Sequence, residues 1–272
     1  MLSSTDAEEF DHEGFVTWPG YLAETEVDLL IAEFERLVTT PSPRLIYETD
    51  GTTVRGHHGA HAVSEVFADL VRLPRLLSVA EEVLESPAYI HQFKINAKRA
   101  LVGDLWEWHQ DFQFWHSEDG MPQPRAINFG IFFDEVTEFN GPLTFVPQSH
   151  STGLVDVMTR PDTSWQDTLA SQLRYQITPE KLAQALNGQT MVAPKGPRGT
   201  VVMFSSTLLH ASSSNMSPFD RRMAVLTYNS VENTLSDVSA PRPEFVASRD
   251  YTPLVPGNDN ALLERAGAHA TP

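Results

Sequence analysis

Trp106-Glu107-Trp108-His109-Gln110-Asp111 is the stretch on which the fold turns. Read as a strand, it puts residues i and i+2 on one face, so His109 and Asp111 present an imidazole and a carboxylate side by side. These are two of the three donors of a two-histidine-one-carboxylate site, which holds Fe(II) and leaves positions open. The pair alone decides little. With 10 histidines and 16 aspartates in 272 residues, about 0.6 His-x-Asp pairs are expected by chance. The third donor must come from a distant strand, and His210 follows the apolar run Thr200–Phe204 and the segment Ser205–Leu209. Arg221 stands at the mouth of the next strand candidate, where a guanidinium can grip a carboxylate with two parallel bonds. The ordered set His109, Asp111, His210 and Arg221 therefore has a direct reading. The metal takes the 2-oxo and C1-carboxylate oxygens of 2-oxoglutarate, and the arginine holds its far carboxylate.

The surroundings suit that reading. Short β-like runs at Tyr89–Ala97, Ala126–Asp134, Leu143–Val146, Thr200–Phe204 and Met223–Tyr228 alternate with Gly, Pro and Asn. With no long helix between most of them, they predict an antiparallel sandwich or barrel rather than a parallel sheet. Upstream the pattern is helical. Val27, Leu30, Ile31, Phe34, Leu37 and Val38 form one apolar stripe, Ser64 opens a second helix, and Pro74 breaks it before a third. A helical insertion is expected at Thr178–Asn187, capped by Thr178 and closed by Gly188. The expectation is one domain over 1–272: a helical part over 1–87, a β core over 88–232, and a Pro-rich wrap with a mobile tail over 239–272.

Charge and composition narrow the function classes. Nineteen Lys+Arg against 36 Asp+Glu leave a net charge of −17, which repels polyanions and argues against nucleic acid as a partner. The absence of cysteine removes disulfides, thiolate zinc sites, iron–sulfur ligation and a cysteine nucleophile. The acidic opening stretch lacks a signal-peptide pattern, and no apolar run approaches ~20 residues. A cytoplasmic enzyme with no membrane partner is expected.

Several blocks, taken together, resemble one family: Val54-Arg55-Gly56, the strand His91–Lys98, the block Trp106–Met121, Glu138–Leu143, Asn215–Pro218, and Pro241-Arg242-Pro243-Glu244-Phe245. It is the phytanoyl-CoA dioxygenase-like Fe(II)/2-oxoglutarate oxygenases, and within it the bacterial hydroxylases of free L-amino acids, of the proline trans-4-hydroxylase and leucine hydroxylase type. The resemblance implies a mainly β fold with flanking helices, a double-stranded β-helix (jelly roll, cupin-like) core braced by N-terminal helices. It makes His109, Asp111 and His210 the iron ligands and Arg221 the anchor of 2-oxoglutarate. It puts Asn96, Asn128 and Ser212 near that co-substrate, and Gln92 and Trp115 near the prime substrate. Arg242, Arg55 and His61 are further candidates for the substrate pocket. The implied reaction consumes O2, releases succinate and CO2, and hydroxylates an unactivated C–H bond, with L-proline at C4 the first expectation. Leucine, another aliphatic amino acid or ectoine are the alternatives. Asp111 fills the position that a halide occupies in related halogenases, which favours hydroxylation over chlorination. The sequence leaves the oligomeric state open.

Duller readings compete at single residues. His150 suits a turn, and the cluster His57, His58 and His61 suits a solvated loop. Trp106 and Trp108 suit core anchors, and Arg222 a surface charge opposite Arg221. A non-catalytic metal-binding jelly roll would not need Arg221, nor would a metal hydrolase. Three departures from the family pattern stand out: Ala211 after the distal histidine, Gln148 in place of glycine before Ser149-His150, and Asp220 beside Arg221.

Overall fold

Alternating apolar residues build the strands, and their pairing builds two sheets. This computed structural model describes residues 1–170 and 172–269. The strands are β1 (Phe15–Trp18), β2 (Leu45–Tyr47), β3 (Val54–His58), β4 (Ala88–Lys98), β5 (Trp106–His109) and β6 (Ala126–Phe132). They continue with β7 (Leu143–Phe145), β8 (Met158–Thr159), β9 (Tyr175–Gln176), β10 (Val201–Ser205), β11 (His210–Ser212) and β12 (Arg221–Ser230). Seven form a major sheet in the order β1-β10-β6-β12-β4-β3-β2, and β5-β11-β7 form a minor one. Every pairing is antiparallel, as a jelly roll requires. A small hairpin, β8 with β9, stands apart.

Helices cover one face of the major sheet. α1 (Ser4–Glu13) precedes β1, and α2 (Glu24–Val38) buries Val27, Leu30 and Phe34. α3 (Glu65–Leu70) starts at Ser64, whose hydroxyl accepts from Phe67 N, and α4 (Pro74–Leu84) carries its proline in the first turn, where no N–H is needed. The apolar faces of α2, α3 and α4 pack with Phe93, Ile95, Phe129, Ile131, Ala224 and Leu226 into the largest core cluster. Later in the chain come α5 (Asp111–Phe114), α6 (Trp165–Ala170), α7 (Pro179–Leu186) and α8 (Ala261–His269), the last of which packs back on α2 and α3. No helix among the described residues is long and apolar enough to cross a membrane.

Three expectations need correction. The part over 1–87 is not only helical: β1, β2 and β3 lie in it and extend the major sheet at both edges, so the β core is not confined to 88–232. These strands have three to five residues, too few for a period of two to show, and β3 is mostly polar because its Arg55, His57 and His58 are buried. The end of the wrap is not a loose tail either. Through residue 269 it forms α8, with Leu262 buried in the main core and Arg265 paired with Asp69; residues 270–272 lie outside the described residues. His57 and His58 are not a solvated loop.

One irregularity shapes the site. Along β4 the register with β12 runs Thr227↔Gln92 and then Tyr228↔Ile90, so His91 is an extra residue. Such a bulge disrupts the strict alternation of side chains. Accordingly Gln92 lines an interior cavity while its neighbour His91 is buried against Trp115. Beyond the bulge, Lys94 also lines the interior, whereas Phe93 and Ile95 pack under the helices.

The buried histidines of β3 set a pH dependence of stability. Burial, then the charge of Arg44, lowers His57 to about 4; burial, then Lys94 and Arg242, lowers His58 to about 3. The unfolded chain takes up protons near pH ~6.5, so between that value and about 4 it binds more protons than the fold, and stability falls with falling pH. Each group contributes up to about 1.4 kcal/mol per pH unit. The metal-free protein should lose melting temperature steadily from pH 6.5 to 4.5, and His57→Gln should flatten part of that slope. A melting temperature that is level or rising across this window would contradict the linkage.

Candidate metal centre and its two cavities

Register brings the donors together. In the minor sheet β11 pairs with β5 so that His210 stands directly opposite His109, and the two imidazole centroids are 4.1 Å apart. Asp111 departs from the strand expectation, because it begins α5. Gln110 between them is still extended (φ −120°, ψ 127°), so the i, i+2 sidedness survives into the first helical residue. The three ligand atoms lie within 4.8 Å of one another, with His109 Nε2 3.8 Å from Asp111 Oδ1 and His210 Nε2 3.8 Å from Oδ2.

The tautomers are fixed by the backbone. His109 Nδ1 is 2.7 Å from Glu107 O, and His210 Nδ1 is 2.9 Å from Leu208 O. A carbonyl only accepts, so each Nδ1 carries the proton and each Nε2 turns a lone pair toward Asp111. Burial, then the neighbouring His210, lowers His109 to about 3, and burial lowers His210. Burial pushes the Asp111 carboxyl up, but Lys94, His210 and His109 outweigh it and bring it to about 2. At neutral pH the trio is therefore two neutral imidazoles and a carboxylate, the donor set of a 2-His-1-carboxylate Fe(II) site. Asn128 donates to Asp111 Oδ2 at 2.9 Å, while Thr227 donates to Asn128 Oδ1 at 2.7 Å and fixes the amide's orientation.

Two cavities meet at this trio. One is lined by Asn96, Ser212 and Arg221 together with His109 and His210. Arg221 is 1% exposed; its Nη2 donates to Gly141 O, while Nε and Nη1 have no partner among the described residues. A buried guanidinium with two idle donors is costly unless an anion meets it, and a carboxylate suits its fork. The other cavity is lined by Gln92, Trp106, Phe114, Trp115, Leu169 and Arg242, with His109 and Asp111 at its end. Trp106 lines both cavities, which corrects its reading as a core anchor only.

Lys94, which the sequence reading passed over, also lines both cavities, and its Nζ is 3.5 Å from Asp111 Oδ1. The signal was present. Gln92, Lys94 and Asn96 alternate on the polar face of β4, and the middle one carries a charge.

Other candidates fall elsewhere. Arg55 is not available to a substrate: it pairs with Glu48 at 2.8 Å, donates to the carbonyls of Leu169 and Leu105, and stacks on Trp106. His61 packs against Phe93 and lines a separate cavity with Arg44 and Phe245. Asn128 does not line the Arg221 cavity; it holds the metal carboxylate instead. Arg222 is no free surface charge, since it pairs with Asp134 and Glu35 and ties the sheet to α2. Asp220 spends its charge on Arg99 and the amide of Ala100, away from Arg221. Gln148 adopts the left-handed φ of 64° that a glycine would take without strain.

Comparison with known proteins gives the same picture. The family model described as phytanoyl-CoA dioxygenase (PhyH) matches residues 10–223. An L-proline trans-4-hydroxylase of Streptomyces griseoviridis is 40% identical over 258 residues, 93% of this chain and 95% of that one. An ectoine dioxygenase of Nocardia farcinica is 36% identical over 260 residues, 93% and 87% respectively. The crystal structure of EctD from S. alaskensis with 2-oxoglutarate and 5-hydroxyectoine superposes with a TM-score of 0.81 at 32% identity, covering 94% of this chain and 87% of that chain. A further structure of the same protein is described with bound Fe.

Asn128→Leu removes the bond that orients the carboxylate and should weaken Fe(II) binding by about 10- to 100-fold. An anaerobic titration of the metal-free protein measures this; unchanged affinity would show that Asp111 is held without its amide neighbour.

Proposed function

The chain belongs to the phytanoyl-CoA dioxygenase family, and on that footing we propose that it hydroxylates a free L-amino acid, with L-proline at C4 as the first substrate. The observation that carries the reading is the pair of cavities meeting at one His-Asp-His trio, each with a buried arginine lining it. Ferrous iron bound by His109, Asp111 and His210 would supply the O2 chemistry that couples conversion of 2-oxoglutarate into succinate and CO2 with hydroxylation. The protein's share is placement. Arg221, with Asn96 and Ser212 around it, takes the far carboxylate of 2-oxoglutarate. Gln92, Trp115 and Arg242 take the prime substrate, Arg242 through its carboxylate, and hold one C–H bond toward the metal.

L-Proline is supported by the 40% identity that extends over 95% of the S. griseoviridis hydroxylase, and by Arg242 of the Pro-Arg-Pro-Glu-Phe block reaching the cavity of Asp111. Ectoine is the second reading, favoured by the likeness to EctD. Both are small, cyclic and carboxylated, so both suit an aromatic cavity with one guanidinium.

Two measurements test this. Fe(II) and 2-oxoglutarate are added anaerobically, then O2 is admitted with L-proline, L-leucine or ectoine and succinate is measured; L-proline should give the most, with one hydroxyproline per succinate. No substrate-dependent succinate from folded protein would reject the enzyme reading, and a preference for ectoine would replace the substrate. Arg221→Ala should raise the KM for 2-oxoglutarate by about 30-fold or more, since an unpaired buried charge costs about 2–5 kcal/mol, while leaving metal affinity near its original value.

A further inference from the structure

Arg242 comes from a stretch with neither helix nor strand, yet its guanidinium is almost wholly buried and lines the substrate cavity. A long side chain on an irregular backbone has many rotamers to lose, so something must aim it. Asp119 does so through two bonds: Arg242 Nε donates to Oδ1 at 2.8 Å and Nη2 donates to Oδ2 at 2.5 Å. That leaves Nη1, which has no partner among the described residues. Glu118 adds a second carboxylate 3.6 Å from Nε.

Asp119 is itself tightly placed. It is 0% exposed and closes the turn Trp115–Asp119 that continues α5. The chain then turns at Gly120, whose φ is 82° and where an added Cβ would stand 2.4 Å from Ser236 O. Met121 N donates to Trp115 O at 2.9 Å and ties the end of the turn back to its start. From the other side His91, the extra residue in β4, brings Nε2 to 3.5 Å from Asp119 Oδ2 and packs its ring edge-on against Trp115. One continuous run thus carries the metal carboxylate at Asp111, the aromatic wall at Trp115 and the counter-ion of Arg242 at Asp119.

We propose that Asp119, backed by His91, is a positioning residue that points Arg242 Nη1 at the substrate carboxylate and so sets which carbon of the substrate faces the metal. This rests on the reading of Arg242 as the carboxylate partner. Asp119 touches no substrate; it acts through the guanidinium. Because Asp111 and Asp119 share one rigid element, the span between metal and carboxylate anchor is fixed by local backbone rather than by the wrap that supplies Arg242. A substrate whose carboxylate is held at a set span presents one C–H bond, and a loose anchor presents several.

The test compares Asp119→Asn, His91→Gln, Arg242→Ala and the double variant Asp119→Asn/Arg242→Ala with the parent, each loaded with Fe(II) and 2-oxoglutarate. Asp119→Asn should raise the KM for the prime substrate at least about tenfold, yield succinate in excess of hydroxylated product, and broaden the product isomers. Its anaerobic Fe(II)–2-oxoglutarate absorption band and its 2-oxoglutarate affinity should stay within about twofold. His91→Gln should move KM and coupling the same way by a smaller factor, and it stands in if Asp119→Asn does not fold. The double variant should be no worse than Arg242→Ala alone, as residues acting as one unit are not additive. If Arg242→Ala leaves the KM unchanged, the reading of Arg242 fails. If Arg242→Ala raises it while the folded Asp119 or His91 variant keeps parental KM, coupling and isomer, the anchor stands and the positioning role is overturned.

Discussion

The pairing of His210 with His109 across two short strands of the minor sheet is the contact on which everything else depends. The two residues are 101 positions apart in the chain, and only the β5–β11 register makes them neighbours. A slip of one residue would send one imidazole to the opposite face. Both rings are then locked the same way, each Nδ1 bound to the carbonyl two residues earlier, so the backbone that sets the register also sets the tautomer. Asp111 completes the set from the first residue of a helix, where the chain has left the sheet but has not yet turned away.

Charge is distributed with a purpose that the net value hides. The chain carries −17 overall, yet the two cavities are lined by Lys94, Arg221 and Arg242, with Asp111 the carboxylate among their linings. Surface charge is screened over about 8–10 Å in physiological salt, so the cavities present their local cations rather than the global excess of acid. The cations are not equivalent. Arg242 is already paired with Asp119, whereas Arg221 keeps Nε and Nη1 without a partner among the described residues.

The strands β4, β6, β7, β10 and β12, the helices at Thr25, Ser64 and Pro179, and the trio His109, Asp111 and His210 were legible from apolar spacing and residue chemistry, whereas the three-residue strand β11 that carries His210 was not. What was not legible arises from contacts between distant segments. Arg55 reads as a carboxylate binder until Glu48, two backbone carbonyls and Trp106 are seen to claim it. His61 lies three residues from the buried His58 but behind Phe93, outside the barrel. The family resemblance puts Asn128 beside the co-substrate, and its amide instead steadies a metal ligand. The strands at both edges of the major sheet were missed because a run of three to five residues, polar where it pairs with buried partners, carries no periodic signature. Likewise, no pattern in His91-Gln92 announces that neighbours depart from alternation, because a bulge belongs to the pairing and not to the strand.

Glu107 gives the fold a mechanical link. Its carbonyl receives the ring proton of His109, while its carboxylate receives Arg160, the amide of Leu173 and the side chain of Gln176, all from the excursion whose Leu169 and Leu173 line the cavity of Gln92 and Trp115. The excursion and the imidazole thus hang from opposite ends of one residue. One residue therefore serves the metal side through its carbonyl and the cavity side through its carboxylate.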